Sequence, residues 1–212
     1  MSDLSISNLA VTILYSDNDI VVIEKPAGLL SVPGPAAKDC AQTQVQQKFP
    51  TVRLVHRLDC ATSGLMIFAL NLAAQQNLSR QFHDRIVKKQ YVACVQGDLQ
   101  QAEGEVDLPL MKDWPNRPRQ MVSPEGKPAL THYRRLAYSP ESSRVLLLPV
   151  TGRSHQLRVH MLSIGHCILG DDLYGDDANR AASNRLLLHA SYLGVLHPVS
   201  QQFLEFESAA PF

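Results

Sequence analysis

The stretch HRLDCATSGL, residues 56–65, sets one acid, Asp59, two residues after Arg57 and just ahead of the small polar run Thr62-Ser63-Gly64. A carboxylate used as a nucleophile or base must stay ionised, and a neighbouring guanidinium lowers an aspartate pKa by about 1–3 units. On an extended backbone Arg57 points to the same face as Asp59. A second stretch, TGRSHQLRVHM (151–161), offers two more guanidinium groups, Arg153 and Arg158. They flank the start of a helix whose amino-terminal dipole also favours anions. The plainer reading stays open beside this one: Asp before Thr, Ser and Gly is an ordinary turn former.

Other residue types narrow the chemistry. His155 and His160 are five apart, which on a helix separates them by about 140°, and the HExxH pattern of zinc peptidases does not occur. No metal is expected. G-x-S-x-G, a P-loop and G-x-G-x-x-G do not occur either, so a triad hydrolase, an NTPase and a dinucleotide enzyme lose support. Tyr91 follows a lysine pair and leads into an apolar run. It is either a core aromatic or a stacking platform for a nucleobase, worth about 1–3 kcal/mol per base. Residues 111–135 carry six Lys/Arg against two acids around Trp114 in a Pro-rich setting, as an RNA-contacting loop would.

These residues need a scaffold. Leu65–Leu70 is uniformly apolar and predicts a buried strand with Asp59 at its mouth. VTILYSDNDIVVIEKP predicts two strands around Ser16–Asp19, followed by a Pro/Gly-punctuated loop, KPAGLLSVPG. A short helix is expected over 41–48. A second runs from an Asn71 N-cap through Phe82, with Leu72, Leu78 and Phe82 near one face. KKQYVACVQG, ALTHYRRLAYS, SRVLLLPV, RLLLHASYLGVLHP and QQFLEF predict further strands. Ser154 is placed as the cap of a helix that Gly165 stops. Strands joined by short turns point to an α+β fold, a mainly antiparallel mixed sheet with flanking helices.

The length, 212 residues, suits a single domain burying roughly 70% of its unfolded surface. Four cysteines stand far apart with no CxxC, which favours neither zinc nor disulfides and suits a reducing cytoplasm. No membrane span or basic leader is expected. The net charge of zero hides a gradient: residues 1–52 balance to −2, residues 53–158 to +6 and residues 159–212 to −4. A basic middle could hold a phosphate backbone on a neutral molecule.

Taken together, the motifs resemble a known family. HRLDCATSGL is similar to the HRLD-x-x-T-S-G signature of the RluA-type pseudouridine synthases. KPAGL resembles the family's first motif, KKQYVA its tyrosine motif, TGRSHQLRVHM its arginine motif, LLLHA a further active-site segment and GDDLYG its G-D-x-x-Y-G. They follow one another in family order from Tyr15 to Phe206. SVPG, RQFHDRIVKKQYVA and DLPLMKDWPNRPRQ resemble the short, dual-specificity branch, which lacks an N-terminal S4-like domain.

The resemblance implies one catalytic domain over 1–212, acting as a monomer without cofactor. The reaction it implies is isomerisation of uridine to pseudouridine in structured RNA, at uridine 746 of a 23S rRNA hairpin and uridine 32 of a tRNA anticodon stem-loop. Specificity for only one of these RNAs is the alternative within the family. It assigns catalysis to Asp59, a salt bridge with Asp59 to Arg158, and a phosphate contact to Arg153. Tyr91 would stack on the uracil and help remove its C5 proton, with Leu188 on the other side. Arg57 would fill the place of the flipped base, and Thr62-Ser63-Gly64 would be the turn that aims these groups. Two other classes compete. A glycosidase would want a second carboxylate beside Asp59, and none is near in sequence. A non-catalytic RNA-binding module would not need Asp59.

Overall fold

In a computed structural model of the chain, residues 9–34 and 37–212 are described. Residues 1–8, most of the stretch read for a leader, and residues 35–36 of the loop after KPAGL lie outside that description. In chain order the elements are β1 (Thr12–Ser16), β2 (Ile20–Lys25), α1 (Ala41–Lys48), β3 (Arg53–Leu54), β4 (Ser63–Ala69), α2 (Leu72–His83), β5 (Lys88–Gln96), β6 (Glu103–Asp107), β7 (Leu110–Lys112), β8 (Gln120–Val122), β9 (Leu130–Tyr138), β10 (Ser142–Pro149), α3 (Gln156–Ser163), α4 (Asp177–Ala181), β11 (Leu188–Leu196) and β12 (Phe203–Glu207).

Ten strands form one sheet in the order β1-β2-β4-β11-β5-β10-β9-β6, with β3 beside β4 and β12 beside β11; β7 and β8 make a separate hairpin. Every pairing is antiparallel except the short parallel contact of β11 with β4, His189 opposite Ser63 and Ala190 opposite Gly64. The α+β, mainly antiparallel sheet expected from the sequence is the one found.

Successive side chains of a strand point to opposite faces, and burial of both faces accounts for the apolar runs Ile20–Ile23 of β2 and Leu65–Ala69 of β4. Val21, Ile23, Met66 and Phe68 pack toward Ala41 and Val45 of α1. Their alternates Ile20, Val22, Leu65, Ile67 and Ala69 pack toward Ala74 and Leu78 of α2. Both faces of the sheet are covered here. A third cluster sets Leu157 and Met161 of α3 against Ala93, Val95, Val145, Leu147, Leu186 and Leu188.

Asn71 caps α2 as expected, its side chain accepting from the Ala74 amide. Leu72 is not on the buried face, however; it sits in the first turn, 52% exposed. The cap of α3 also differs from expectation. His155, not Ser154, occupies the N-cap, at φ +53° and without a side-chain cap bond. Gln156 instead ties the start of the helix to its surroundings: its Oε1 accepts from Thr151 Oγ1 and the Arg153 amide, and its Nε2 donates to Leu130 O and Thr131 Oγ1.

Candidate active site

The segment carrying Asp59 is clamped on both sides by the loop that follows β2. Ser31 Oγ donates to Leu58 O at 2.6 Å and accepts from the Leu58 amide at 3.1 Å. Lys25, wholly buried, donates to Pro26 O, Leu29 O and Cys60 O at 2.8, 2.7 and 3.1 Å. An ammonium has three donors and no acceptor, so these carbonyls use it completely. Burial pulls the Lys25 ammonium down to about 8. The Gly28 amide also donates to Cys60 O. On the other flank, His56 Nε2 accepts from the Ile67 amide of β4, and its ring stacks on Phe82 at 4.5 Å. Burial holds that imidazole down near 3, the Lys89 charge adding to the effect, so it stays a neutral acceptor. The KPAGL and HRLD segments thus form one rigid mount for Asp59.

The turn runs over residues 59–62, ahead of the Thr62-Ser63-Gly64 stretch that the sequence suggested. The Thr62 amide donates to Asp59 O, while Ser63 and Gly64 already belong to β4. Gly64 sits at φ +111°, and a Cβ built on it would lie 2.3 Å from Ala190 O. That glycine serves the close crossing of β11 rather than a turn.

Asp59 lines a cavity of about 100 Å³ with Arg57, Lys89, Tyr91, Arg153, His155, Arg158 and Leu188. All six residues assigned from the sequence (Arg57, Asp59, Tyr91, Arg153, Arg158 and Leu188) therefore meet at one place. Among the described lining residues Asp59 is the one acid. A wider groove of about 610 Å³ shares Arg57, Lys89, Tyr91 and Arg153 and adds His83 and Arg85, with no acid in its lining. The Tyr91 phenol is pushed above its ordinary range by burial and by the Asp59 charge, so it is protonated at neutral pH. Leu188 is 3% exposed and also part of the core. Arg57 is exposed and makes no ion pair among the described residues. Arg153 donates Nε–H to Pro128 O.

The expected salt bridge between Arg158 and Asp59 is not formed. The buried Arg158 guanidinium instead makes a two-point contact with the buried Asp171, Nε to Oδ2 at 2.7 Å and Nη2 to Oδ1 at 2.5 Å, and reaches Asp172 at 2.9 Å. The reason is geometric. Asp171 is cut off from water, and a planar guanidinium matches a carboxylate fork-to-fork. Asp171 Oδ1 also accepts the Leu173 and Tyr174 amides, which fixes it in that orientation. Among the described residues the basic side chain nearest Asp59 is the imidazole of His155, whose Nε2 stands 4.0 Å from Asp59 Oδ1.

Sequence reasoning weighed His155 only as a metal ligand and gave no role to Lys25, Lys89 or Tyr174. The G-D-x-x-Y-G motif was the available signal for Tyr174, but it carries no chemistry until the fold brings it to α3. At the basic segment, β7 and β8 form a hairpin whose tip holds Trp114, 58% exposed, with Lys112 Nζ 5.2 Å and the Arg117 guanidinium 5.4 Å from its ring. The group Asp17, Asp19 and His197 is a turn that satisfies itself: Asp17 Oδ1 accepts the Asp19 and Ile20 amides, and Oδ2 meets Tyr15 and His197. No described helix is long and apolar enough to cross a membrane.

A single carboxylate beside an aromatic wall, ringed by cations, suits a planar base carried on a polyanion. Comparison with known proteins gives the same direction. Residues 19–163 match the family model described as RNA pseudouridylate synthase. The chain is 52% identical over 206 residues to the dual-specificity RNA pseudouridine synthase RluA of Escherichia coli strain K12, covering 95% of this chain and 94% of that protein. With the protein of the same name from Yersinia pestis it shares 52% over 204 residues, 94% of this chain and 99% of that one. Among solved structures, human RNA pseudouridylate synthase domain containing 1 superposes with a TM-score of 0.82 at 32% identity, covering 96% of this chain and 84% of that one. With the fold, the motifs and these likenesses in agreement, the chain belongs to the RNA pseudouridylate synthase family and is an RNA-modifying isomerase.

Proposed function

We propose that this enzyme acts in the cytoplasm on two RNAs, converting uridine 746 of a 23S rRNA hairpin and uridine 32 of tRNA anticodon stem-loops, with Asp59 as its essential carboxylate. The observation that carries the double specificity is likeness over 95% of the chain to enzymes named for it. The role of Asp59 is supported by its place as the one acid on a cavity of cations. The reaction is balanced without a cofactor. The N1–C1′ bond breaks, the uracil turns, C5 bonds to C1′, the C5 proton leaves and N1 ends protonated.

A uridine in a stem or stacked loop must leave the stack first, at a cost of a few kcal/mol. Arg57, exposed and without an ion pair, is suited to occupy the vacated place, since a guanidinium both stacks and pairs with base edges. Tyr91 and Leu188 then form the walls on either side of the ring, and Arg153 faces the groove where phosphates would run. The protonated Tyr91 phenol enters the complex as a stacking surface and can accept the C5 proton only after its own proton has moved. Arg57→Ala is expected to lower the single-turnover rate about tenfold or more while initial RNA docking changes little. An unchanged single-turnover rate would remove this role from Arg57.

Pseudouridine mapping in a strain lacking the gene, with and without a plasmid copy, tests the substrates. Both positions are expected to lose the modification and regain it together. Loss at the rRNA position alone, or at the tRNA position alone, would reduce the enzyme to a single specificity.

A further inference from the structure

Resting on the reading of Asp59 as the reacting carboxylate, we propose that His155 is a positioning residue for it: Tyr174 fixes the imidazole in the tautomer that presents Nε2–H to Asp59, and the β7–β8 hairpin holds Tyr174 in place.

The backbone supplies the first observation. His155 adopts φ +53°, ψ 17° at the N-cap of α3, a left-handed conformation that costs a residue with a Cβ about 1–2 kcal/mol. Ser154 beside it would have capped the helix in ordinary geometry. The strained arrangement sends the imidazole into the cavity beside Asp59.

Hydrogen bonding supplies the second. Tyr174 Oη accepts the Gln120 amide of β8 at 2.7 Å and lies 2.7 Å from His155 Nδ1. Burial pushes the Tyr174 phenol up to about 12, so it keeps its proton at neutral pH. With one lone pair taken by Gln120, its hydrogen has His155 Nδ1 as the acceptor among the described residues. A neutral imidazole that accepts at Nδ1 carries its proton on Nε2. Burial keeps His155 below its ordinary range even against the Asp59, Asp171 and Asp172 charges, with Arg158 adding to the effect. The Nε2–H side is the one 4.0 Å from Asp59 Oδ1, about 1 Å beyond hydrogen-bond reach. Such contacts commonly tighten only in the substrate complex.

The third observation is where Tyr174 is anchored. Its ring centroid is 5.1 Å from the guanidinium of Arg119, at the foot of the hairpin, and 5.2 Å from that of Arg158. The hairpin is the basic, Trp114-bearing element suited to RNA.

Three variants test the role by single-turnover rate and RNA affinity measured separately. His155→Gly relaxes the left-handed backbone, and thermal unfolding within about 2 °C of wild type separates a lost rate from misfolding. It is expected to fold, to bind RNA within about threefold of wild type and to react about 10–100-fold more slowly, the scale of losing one hydrogen bond to a charged group. His155→Gln, whose amide N–H reaches the Nε2 position, should recover most of that loss. Tyr174→Phe should slow the reaction about tenfold with affinity kept. A His155→Gly rate within twofold of wild type, no recovery in His155→Gln, or a slowing matched by weaker binding overturns the role of His155; an unaltered Tyr174→Phe rate overturns that of Tyr174. Asp59→Ala in parallel keeps the readings apart. Turnover surviving there fails the assignment of Asp59, while a dead Asp59→Ala with an unaltered His155→Gly fails only His155.

Discussion

Replacing Asp59 with Ala abolishes release of tritium from [5-³H]uridine-labelled RNA while the RNA is still bound. The loss should be on the order of 10⁴-fold or more, the scale on which an obligatory nucleophile or base is missed. Binding survives because the cations on the groove, Arg57, Lys89 and Arg153, make no ion pair with Asp59 among the described residues. Arg158 is held by Asp171, and Leu58 and Cys60 are clamped through backbone groups that the substitution leaves intact. Affinity should change by no more than about threefold, or less than 1 kcal/mol. Tritium release above about 1% of the wild-type rate, a factor of 10² and the floor for a catalytic acid or base, would show that another group does the chemistry. A matching collapse in affinity would mean that Asp59 acts in assembly of the site.

The second large effect is structural. Gly64→Ala puts a Cβ at φ +111°, where it would stand 2.3 Å from Ala190 O and 2.6 Å from Ala190 N. These are backbone atoms of β11 and cannot rotate away. Ala190 is also opposite Tyr91 in β5, so moving β11 displaces Tyr91 and Leu188 together. Clash and backbone strain should cost more than about 4 kcal/mol, lowering Tm by about 10 °C or more in a chain of this size and removing activity with it. Thermal unfolding within about 2 °C of wild type would mean that β4 and β11 separate easily.

Much of the scaffold was legible because it follows from local rules. The two strands around Ser16–Asp19, the uniformly apolar strand at 65–70, the Asn71 cap and the helix over 41–48 depend on residues close in sequence, and all appear. The errors fall where a local signal competes with a distant partner. Ser154 is a good cap by type, but the N-cap is His155, in a helix start tied through Gln156 to the distant Leu130 and Thr131. Ser63 and Gly64 read as a turn because the approach of Ala190, 126 positions away, is invisible in the stretch itself. Leu72 faces outward because it stands about 160° around α2 from the buried Ala74 and about 120° from Leu78.

By itself the sequence determined the fold class, the family and the set of residues that gather at the site, because motif identity and strand periodicity are properties of short stretches. The sign of the site was also written there, since Arg57, Lys89, Arg153 and Arg158 all come from the basic middle of the chain. Only the tertiary structure decided which charges neutralise one another. Asp171 and Asp172 return from the acidic C-terminal third to take Arg158, leaving Asp59 facing His155. Charge pairing depends on distance and burial in space, and neither is encoded in the separation of residues along the chain.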